Sequence, residues 1–476
     1  MKHSKISILL GVFHFLLASC SNNSEDFSSL REQAKKQTFT VVVESVGELF
    51  SGGEGVNPTA FTRGQISSVA PTQTFDKLAL LIIEYASPAK VVYKRTIDNW
   101  SNPDNKASYP WSTEEGQGRY ATITLTGDEC LEEGKNYMAY VIGYHAGTYG
   151  GYEPFKDIEV GDYYNHTEVV TVPENGSVDE VFAGAEVFWV KDGIILSQRS
   201  SEAEVEHGLM VARRQVAGTF GYFTRIPVTA GGKKVAKLRL VSTKENRTVI
   251  FGGFRSVDDN LNFHKDNVIN GMNPATDYDC VLAGSLKKDA FSVYEIDLCK
   301  WFPGNTENAL LPLDANGDGY LDSADTNWQT DEENYPKGTI SLPRGTVFGD
   351  SFMVSIAMFQ DDVDEGIPTF QMQMLDADGN VVRYWDVTIR NLDTAGEDRT
   401  LVSLPNGVDG RTQISELENI DTESCFSVVR NRLYTMGEKN YGQYYGEDEP
   451  IDLSAANDIV LDARHEWQIM TSIIFH

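Results

Sequence analysis

Cysteine and positive charge are both scarce in this sequence. Five cysteines occur in 476 residues, far fewer than in small secreted domains that depend on disulfides. A chain of this length can bury two or three ordinary cores without such cross-links. Lysine and arginine together number 40 against 70 aspartates and glutamates, which gives a formal net charge of −30. A surface of that sign argues against binding to nucleic acid or to an anionic membrane surface.

Recognisable catalytic motifs are missing as well. The sequence contains no GxSxG nucleophile motif, no phosphate-binding loop and no cysteine in a catalytic context. The segment "HEWQI" begins like the HExxH motif of zinc proteases, but Ile469 stands where the second histidine belongs. The paired carboxylates of a glycoside hydrolase leave no local signature, and 70 acidic residues make any such pair uninformative. We therefore predict that the protein is not an enzyme.

Long hydrophobic runs are absent except at the N-terminus. Lys2 and Lys5 precede "ISILLGVFHFLL", which is too short to span a bilayer and is typical of a signal peptide. The run ends in Leu17-Ala18-Ser19-Cys20, the pattern of a bacterial lipobox, in which the Cys20 thiol is acylated and becomes the first mature residue. We predict a lipoprotein signal peptide over 1–19; the alternative is an ordinary signal peptide with a chance cysteine. Each buried methylene contributes about 0.8 kcal/mol, so two or three acyl chains would hold the protein on a membrane.

The residues after the signal peptide are polar and lack periodicity. We predict that 20–37 is a tether between the lipid and the globular part. Four cysteines remain beyond it, and an exported protein could pair them in three ways, which the sequence does not distinguish. They are Cys130, Cys280, Cys299 and Cys425.

Strand patterns dominate the rest of the chain. "TFTVVVES", "VAKLRLV" and "FQMQM" alternate or cluster apolar residues, and "DADGN" then turns the chain into "VVRYWDVTI". Helical periodicity is scarce. We predict an all-β protein made of two antiparallel β-sandwich domains. Turn residues at 172–180 place the domain boundary there, giving an N-terminal domain over 38–176 and a C-terminal domain over 177–476.

The stretch "DANGDGYLDSAD" at 314–325 has the spacing of an EF-hand-like calcium loop, in the dockerin-type variant that ends in Asp. Oxygen ligands occupy alternate positions, and Gly319 allows the sharp turn that brings a main-chain carbonyl to the same cation. Every ligand is a hard oxygen, which suits calcium better than zinc or copper. The predicted ligands are Asp314, Asn316, Asp318, Tyr320 through its carbonyl, Asp322 and Asp325.

The acidic loop has two interpretations. Crowded carboxylates repel one another unless a cation lies among them, which favours a structural calcium ion that staples an insertion over 303–338. The alternative is an acidic turn without metal. "DDVDEG" and "DADG" elsewhere in the chain lack the full spacing, and we predict a solvated turn and a hairpin for them.

Several segments together resemble the fimbrillin family of pilus proteins, in particular its lipoprotein anchor-type members. They are the lipobox ending at Cys20, "FTRG" at Phe61–Gly64, "LEEGKNYMAYVIGYH", "DEVFAGAEVF" at Asp179–Phe188, and "LMVARRQVAGTFGYFTRIP" at Leu209–Pro227. No single segment is diagnostic, and their order is the evidence. The likeness covers the first half of the chain well and is weak from Phe254 to Asn457.

The resemblance implies two transthyretin-like β-sandwiches, an outer-membrane lipoprotein at the cell surface, and assembly with other pilus subunits by strand complementation. An opened sandwich exposes unpaired backbone groups and an apolar groove, and an added strand satisfies both. The exchangeable strand would be Thr38–Ser45, and proteolytic processing would follow Arg63, which is otherwise a solvated loop arginine. Anchor-type members keep this strand.

Two further alternatives remain open at the level of sequence. The apolar C-terminal run "EWQIMTSIIF" is either the closing strand of the second domain or a strand offered to a partner. The protein itself is either a pilus subunit or a surface lipoprotein that binds a host glycan, since seven tryptophans and 21 tyrosines would permit sugar binding. A pilus-tip adhesin would combine both roles and could also bind a host protein.

Overall fold

The structure is a computed structural model of the chain. The structure describes residues 35–44, 75–98, 100, 108–112, 117–164, 168–171, 178–197, 207–242, 244–246, 248–251, 280–282, 291–335, 342–354, 356, 358–359, 370–391, 403–404, 428, 433–439 and 448–464.

Among the described residues the regular secondary structure is almost entirely β-strand, which confirms the predicted all-β class. In the first half of the chain the strands are Lys36–Glu44 (β1), Lys77–Glu84 (β2), Val91–Ile97 (β3), Ser108–Ser112 (β4), Gln117–Thr126 (β5), Asn136–Tyr144 (β6), Val169–Thr171 (β7), Phe182–Lys191 (β8), Ile194–Ser197 (β9) and Gly208–Arg214 (β10).

In the second half the strands are shorter and more numerous. They are Ala217–Thr224 (β11), Ile226–Pro227 (β12), Thr229–Ala230 (β13), Lys233–Lys234 (β14), Lys237–Ser242 (β15), Lys244–Asn246 (β16), Thr248–Ile250 (β17), Cys280–Leu282 (β18), Phe291–Asp297 (β19), Tyr320–Leu321 (β20), Thr346–Met353 (β21), Met358–Phe359 (β22), Phe370–Leu375 (β23), Val381–Asn391 (β24), Ser403–Leu404 (β25), Leu433–Met436 (β26), Ile451–Asp452 (β27) and Ile459–Arg464 (β28).

Helical segments of the described residues are limited to single turns. They are Thr148–Gly151 (α1), which contains left-handed backbone at Tyr149 and Gly150, a 3-10 turn at Gly127–Glu129, and Leu298–Trp301 (α2). In the part of the chain that the structure describes, none of these segments has the length and apolar character that crossing a membrane would require.

The first large sheet folds over into two layers. Its strand order is β3–β2–β6–β8–β10–β1–β5–β4, with β9 added beside β8. Strand β10 pairs with β1 along Gly208–Ala212 and then with β8 at Arg213 and Arg214, so it passes from one layer to the other. The space between the layers is filled by a core that includes Phe39 and Val41 from one layer and Leu80 from the other.

A second sheet occupies the C-terminal half. Its order is β19–β15–β23–β24–β28–β26–β11–β21, with β27 beside β11. The two end strands lie against each other, because a Cβ added at Gly349 in β21 would come within 2.6 Å of Ile296 Cγ1 in β19. The second sheet therefore also curves round its own apolar interior.

Strands β2, β6 and β8 are buried on both faces. Leu78, Leu80 and Ile82 of β2 point into the first core, whereas Ala79 and Leu81 belong to a larger apolar cluster that continues into the second sheet. This explains why "KLALLIIE" is a continuous apolar run rather than an alternating one, since a strand covered on both faces needs apolar residues at every position.

The chain passes from the first sheet to the second between Arg214 and Ala217. The turn-rich residues 172–180, where the sequence predicts the domain boundary, connect β7 to β8, and β8–β10 are hydrogen-bonded within the first sheet. Strand β7 itself pairs with β17 and belongs to neither large sheet. The domain boundary stays a prediction from the sequence.

The sheets are mixed, although antiparallel pairing prevails as predicted. Strand β1 is parallel to β10, β11 is parallel to both β26 and β27, and β24 is parallel to β28. Such pairings join strands that are distant in sequence, so the local strand pattern carries no signal for them.

Candidate functional site

Strand β1 lies inside the first sheet and is hydrogen-bonded on both sides. It is antiparallel to β5 from Lys36, opposite Thr126, to Glu44, opposite Gly118. Its other edge is parallel to β10, from Phe39 opposite Gly208 onward. Neither partner follows β1 directly in the chain. The observed strand, Lys36–Glu44, coincides closely with the predicted exchangeable strand, Thr38–Ser45.

Both faces of β1 are buried. Phe39, Val41 and Val43 have no exposed surface and belong to the first core. On the opposite face, Val42 is fully buried in a small separate cluster with Leu209. From Phe39 to Val43, one face of β1 is therefore entirely apolar and the other face is partly apolar. Any strand that filled the groove between β5 and β10 would need the same pattern.

Polar contacts fix the register of β1 at its beginning. The Gln37 side chain donates a hydrogen bond to the Leu131 carbonyl at 3.0 Å and accepts one from the Leu131 amide at 2.8 Å. The Lys35 carbonyl accepts from the Gly127 amide at 3.1 Å and from the Cys130 thiol at 3.2 Å. Because side chains alternate along a strand, these contacts prevent a one-residue slip that would turn the apolar face outward.

Cys130 and Cys299 carry free thiols. Burial raises the pKa of both thiols, to about 12 for Cys299, so both stay protonated near neutral pH. Cys425 lies outside the described residues. Each of the three pairings left open by the sequence uses both Cys130 and Cys299, and both are unpaired in this structure.

Other predicted features of the assembly site fall outside the described residues. These are the lipidation site Cys20, the processing site Arg63 and the C-terminal run from 465 onward. The structure neither supports nor contradicts these three predictions.

The acidic loop 314–325 is described in full. Asp314 accepts hydrogen bonds from the amides of Gly317 at 2.7 Å and Gly319 at 2.8 Å. Asn316 Oδ1 accepts from the Asp318 amide at 2.8 Å, and Asp318 Oδ1 accepts from the Tyr320 amide at 2.9 Å. Gly319 has a φ of +96°, a left-handed conformation that glycine adopts without strain.

Asp325 closes the loop from a fully buried position. Its Oδ1 accepts from the amides of Ala315 at 2.6 Å and Asn316 at 3.4 Å, and its Oδ2 accepts from the Asp322 amide at 2.9 Å. Its carbonyl accepts from Arg344 at 2.6 Å. The final predicted ligand thus ties the two ends of the loop together.

A neighbouring arginine adds a cation to this loop. Arg225 Nε lies 3.7 Å from Asp322 Oδ2, and its guanidinium lies 4.9 Å above the Tyr320 ring. Nothing in the local spacing of the acidic loop signals Arg225, because it follows β11 some ninety residues earlier.

The oxygen atoms that the loop offers as metal ligands suit calcium, because they are carboxylate, amide and carbonyl oxygens. Each carboxylate oxygen can accept more than one bond, so its hydrogen bonds to main-chain amides leave room for a bond to a cation. Within the ranges that the structure describes, no three histidine, cysteine, aspartate or glutamate side chains are gathered closely enough to hold a metal ion. The calcium site stays a prediction from the spacing.

Comparison with known proteins finds distant structural likenesses alone. No family model and no curated protein sequence matches the chain. Solved structures that match include a candidate adhesin from Bacteroides ovatus, with 8% identity, 86% of this chain and 90% of that chain covered, and a TM-score of 0.29. A candidate cell adhesion protein from Bacteroides eggerthii has 8% identity, coverage of 90% and 95%, and a TM-score of 0.33.

The fimbrial anchor protein Mfa2 from Porphyromonas gingivalis also matches, with 9% identity, coverage of 58% of this chain and 87% of that chain, and a TM-score of 0.24. Likenesses at these TM-scores carry no argument about what this chain does. The function is therefore inferred from the chain's own residues.

Proposed function

We propose that this protein is a surface lipoprotein of a fimbrillin-type pilus, an anchor or accessory subunit that assembles by β-strand complementation. The position of β1 is the observation that supports this proposal. It separates β5 from β10, two strands that do not otherwise pair, so withdrawing it would leave two unpaired backbone edges beside an apolar groove. Such a groove recruits an added strand.

A disulfide across β1 tests the proposal. Thr38 and Thr124 are directly opposite in the antiparallel pair and both are half-buried. Opposite residues in such a pair lie about 4.5–5.5 Å apart between Cα atoms, which is compatible with a disulfide. The double variant Thr38→Cys with Thr124→Cys would lock β1 in place under oxidising conditions and release it under reducing conditions.

The readout is incorporation of the variant into pili in cells that make the other subunits. Incorporation that persists in the locked form indicates an anchor that keeps β1, whereas incorporation that depends on reduction indicates a subunit that exchanges β1. The single variant Thr124→Cys controls for the substitution itself. Absence of the wild-type protein from pili under both conditions would refute the proposal.

Lipid attachment is a separate part of the proposal and has its own test. Cys20→Ser should release the protein from the outer-membrane fraction, because the acyl chains that supply the membrane affinity are then lost. Unchanged fractionation of Cys20→Ser would remove the lipoprotein part and leave the strand-exchange part to be judged alone.

We further propose that the loop 314–325 binds calcium as a structural ion. A ligand that binds only the folded state stabilises it by about 2.7 kcal/mol at one hundred times its Kd. Millimolar calcium should therefore raise the melting temperature by several degrees over an EDTA-treated sample, and Asp318→Ala should abolish that difference. Asp378→Ala, in the exposed "DADG" hairpin, is the matched control and should retain it.

A further inference from the structure

An open cleft lies beside the long segment between β6 and β7. Its volume is about 730 Å³, within the range of small-molecule sites. The residues that line it are Tyr152, Glu153, Phe155, Lys156, Asp157, Ile158, Asp162, Tyr163 and Glu168. None of these residues belongs to the β1 position or to the acidic loop.

The cleft is built on a segment that is fixed to the sheet. The Val91 amide donates to the Asp162 carbonyl at 2.8 Å, and the Gly161 amide donates back to the Val91 carbonyl at 2.9 Å. Lys94 Nζ donates to the Ile158 carbonyl. Phe155 has a φ of +58°, a conformation that costs energy for a bulky residue and is retained where the surroundings hold it. The cleft is thus preformed on a rigid support.

One wall of the cleft contains a polar pair, a half-buried tyrosine and a buried glutamate. The Tyr152 hydroxyl donates a hydrogen bond to Glu168 Oε2, and Glu168 is only 9% exposed. Burial, together with the bond to Glu168, raises the pKa of the Tyr152 hydroxyl, so the phenol stays protonated. The Tyr152 ring is stacked on Phe251, with centroids 5.3 Å apart. This pair gives the cleft a fixed hydroxyl and a fixed carboxylate.

The rim of the cleft carries an exposed aromatic ring. Tyr163 is 65% exposed, and its neighbour Val160 is 60% exposed. Large hydrophobic side chains this exposed are few among the described residues, and two of them share this segment. An exposed aromatic ring at the rim of a cleft offers a bound molecule an apolar surface to pack on and a polar hydroxyl beside it.

The charge of the lining restricts the ligand. Four carboxylates face one ammonium, that of Lys156, so a sulfated, phosphorylated or sialylated ligand would be repelled. Acceptors that outnumber donors, together with an exposed ring, suit a ligand that presents several hydroxyl donors and an apolar ring face.

We propose that the cleft formed by Tyr152, Tyr163, Asp157 and Glu168 binds an oligosaccharide without acidic groups. The sugar hydroxyls donate to the carboxylates, and the apolar face of one sugar ring packs on Tyr163. This activity goes beyond the proposed assembly role, because β1 and the cleft share no residue. Loss of either activity therefore leaves the other measurable.

The experiment is a glycan array followed by calorimetric titration with purified full-length protein. We expect binding of at least one neutral oligosaccharide and no binding of a heparin-derived hexasaccharide. Tyr163→Ala and Asp157→Asn should each weaken that binding at least about tenfold, the loss expected for a central contact. Both side chains are exposed, so neither substitution threatens the core.

Matched controls lie in the second half of the chain. Tyr384→Ala removes another exposed tyrosine, and Asp458→Asn makes the same change of charge as Asp157→Asn; both should bind as the wild type does. The proposal is overturned if no neutral glycan on the array binds, if the control variants lose as much affinity as the cleft variants, or if only a Lys- and Arg-rich octapeptide binds the cleft.

Discussion

Asp350 in β21 should make the folded protein less stable as the pH rises from about 4 to about 7. Its side chain is 6% exposed, and its Oδ1 accepts a hydrogen bond from the Tyr335 hydroxyl at 2.8 Å. Its Oδ2 has no hydrogen-bond partner among the described residues, and neither has the nearby Tyr294 hydroxyl. Burial raises the pKa of Asp350 from 3.8 to about 7.

The sign and size of the effect follow from proton linkage. Between pH 4 and 7 the unfolded chain has lost the Asp350 proton while the folded protein still holds it, so the unfolded state gains stability as pH rises. The contribution is present in full below the unfolded pKa of 3.8 and is lost by about pH 7. One pKa unit corresponds to about 1.4 kcal/mol, so the whole loss is about 4 kcal/mol.

Asp350→Asn keeps the shape of the side chain and an oxygen for the Tyr335 hydroxyl, but it cannot ionise. We expect the variant to be more stable than the wild type by about 4 kcal/mol at pH 8, and the difference to approach zero at pH 4. The measurement is urea unfolding at both pH values, with the exposed Asp458→Asn variant as the control.

A difference between wild type and Asp350→Asn that is equal at pH 4 and pH 8 would refute the reasoning, because it would come from packing and not from ionisation. A wild type that is the more stable protein at pH 8 would refute it as well. In that case the charged form of Asp350 would have to be stabilised by its surroundings.

Three further predictions concern packing. Glu180→Gln removes the carboxylate that accepts hydrogen bonds from buried Arg214 at 2.6 and 2.8 Å, and it should lower the free energy of unfolding by about 3–5 kcal/mol. Glu295→Gln, in a half-exposed ion pair with Lys237, is the control and should lower it by less than about 1 kcal/mol. Gly184→Ala would place a Cβ 2.1 Å from a main-chain oxygen of β10, so thermal melting should show a markedly destabilised protein. Phe39→Ala should cost about 3–5 kcal/mol and speed hydrogen exchange in β1 relative to the second sheet.

The local pattern of the sequence predicts strands well where one face of the strand packs on a core and the pattern of apolar residues follows from that. The period of two in "VAKLRLV" corresponds to β15, and "FQMQM" with "VVRYWDVTI" corresponds to the hairpin of β23 and β24. Strand β1 was predicted within two residues of its observed bounds. These segments are determined by which face of a strand meets a core, and that information is local.

The remainder depends on contacts between distant residues. The residues around β1 do not predict that β10 is its parallel neighbour. The residues around β8 likewise do not predict that β8 pairs with β6 in the first sheet. The cleft at Tyr152 and Glu168 was missed because its residues read as a glycine- and aspartate-rich loop. A run of tyrosines within such a loop was the available signal, since loops on a rigid support often carry binding residues.

The double pairing of β1 has a mechanical consequence. Its hydrogen bonds to β5 and β10 run across the strand direction, so a pull along β1 loads all of them at once instead of opening them one after another. Suppose that the segment before Lys36 is attached to a cell and the rest of the protein is pulled away from it. The hydrogen bonds of β1 are then loaded in shear. The force reaches β1 at its first residues, where the side chain of Gln37 is hydrogen-bonded to Leu131. A protein loaded in this way would withstand a pull along β1 far better than one held by the end of a hairpin.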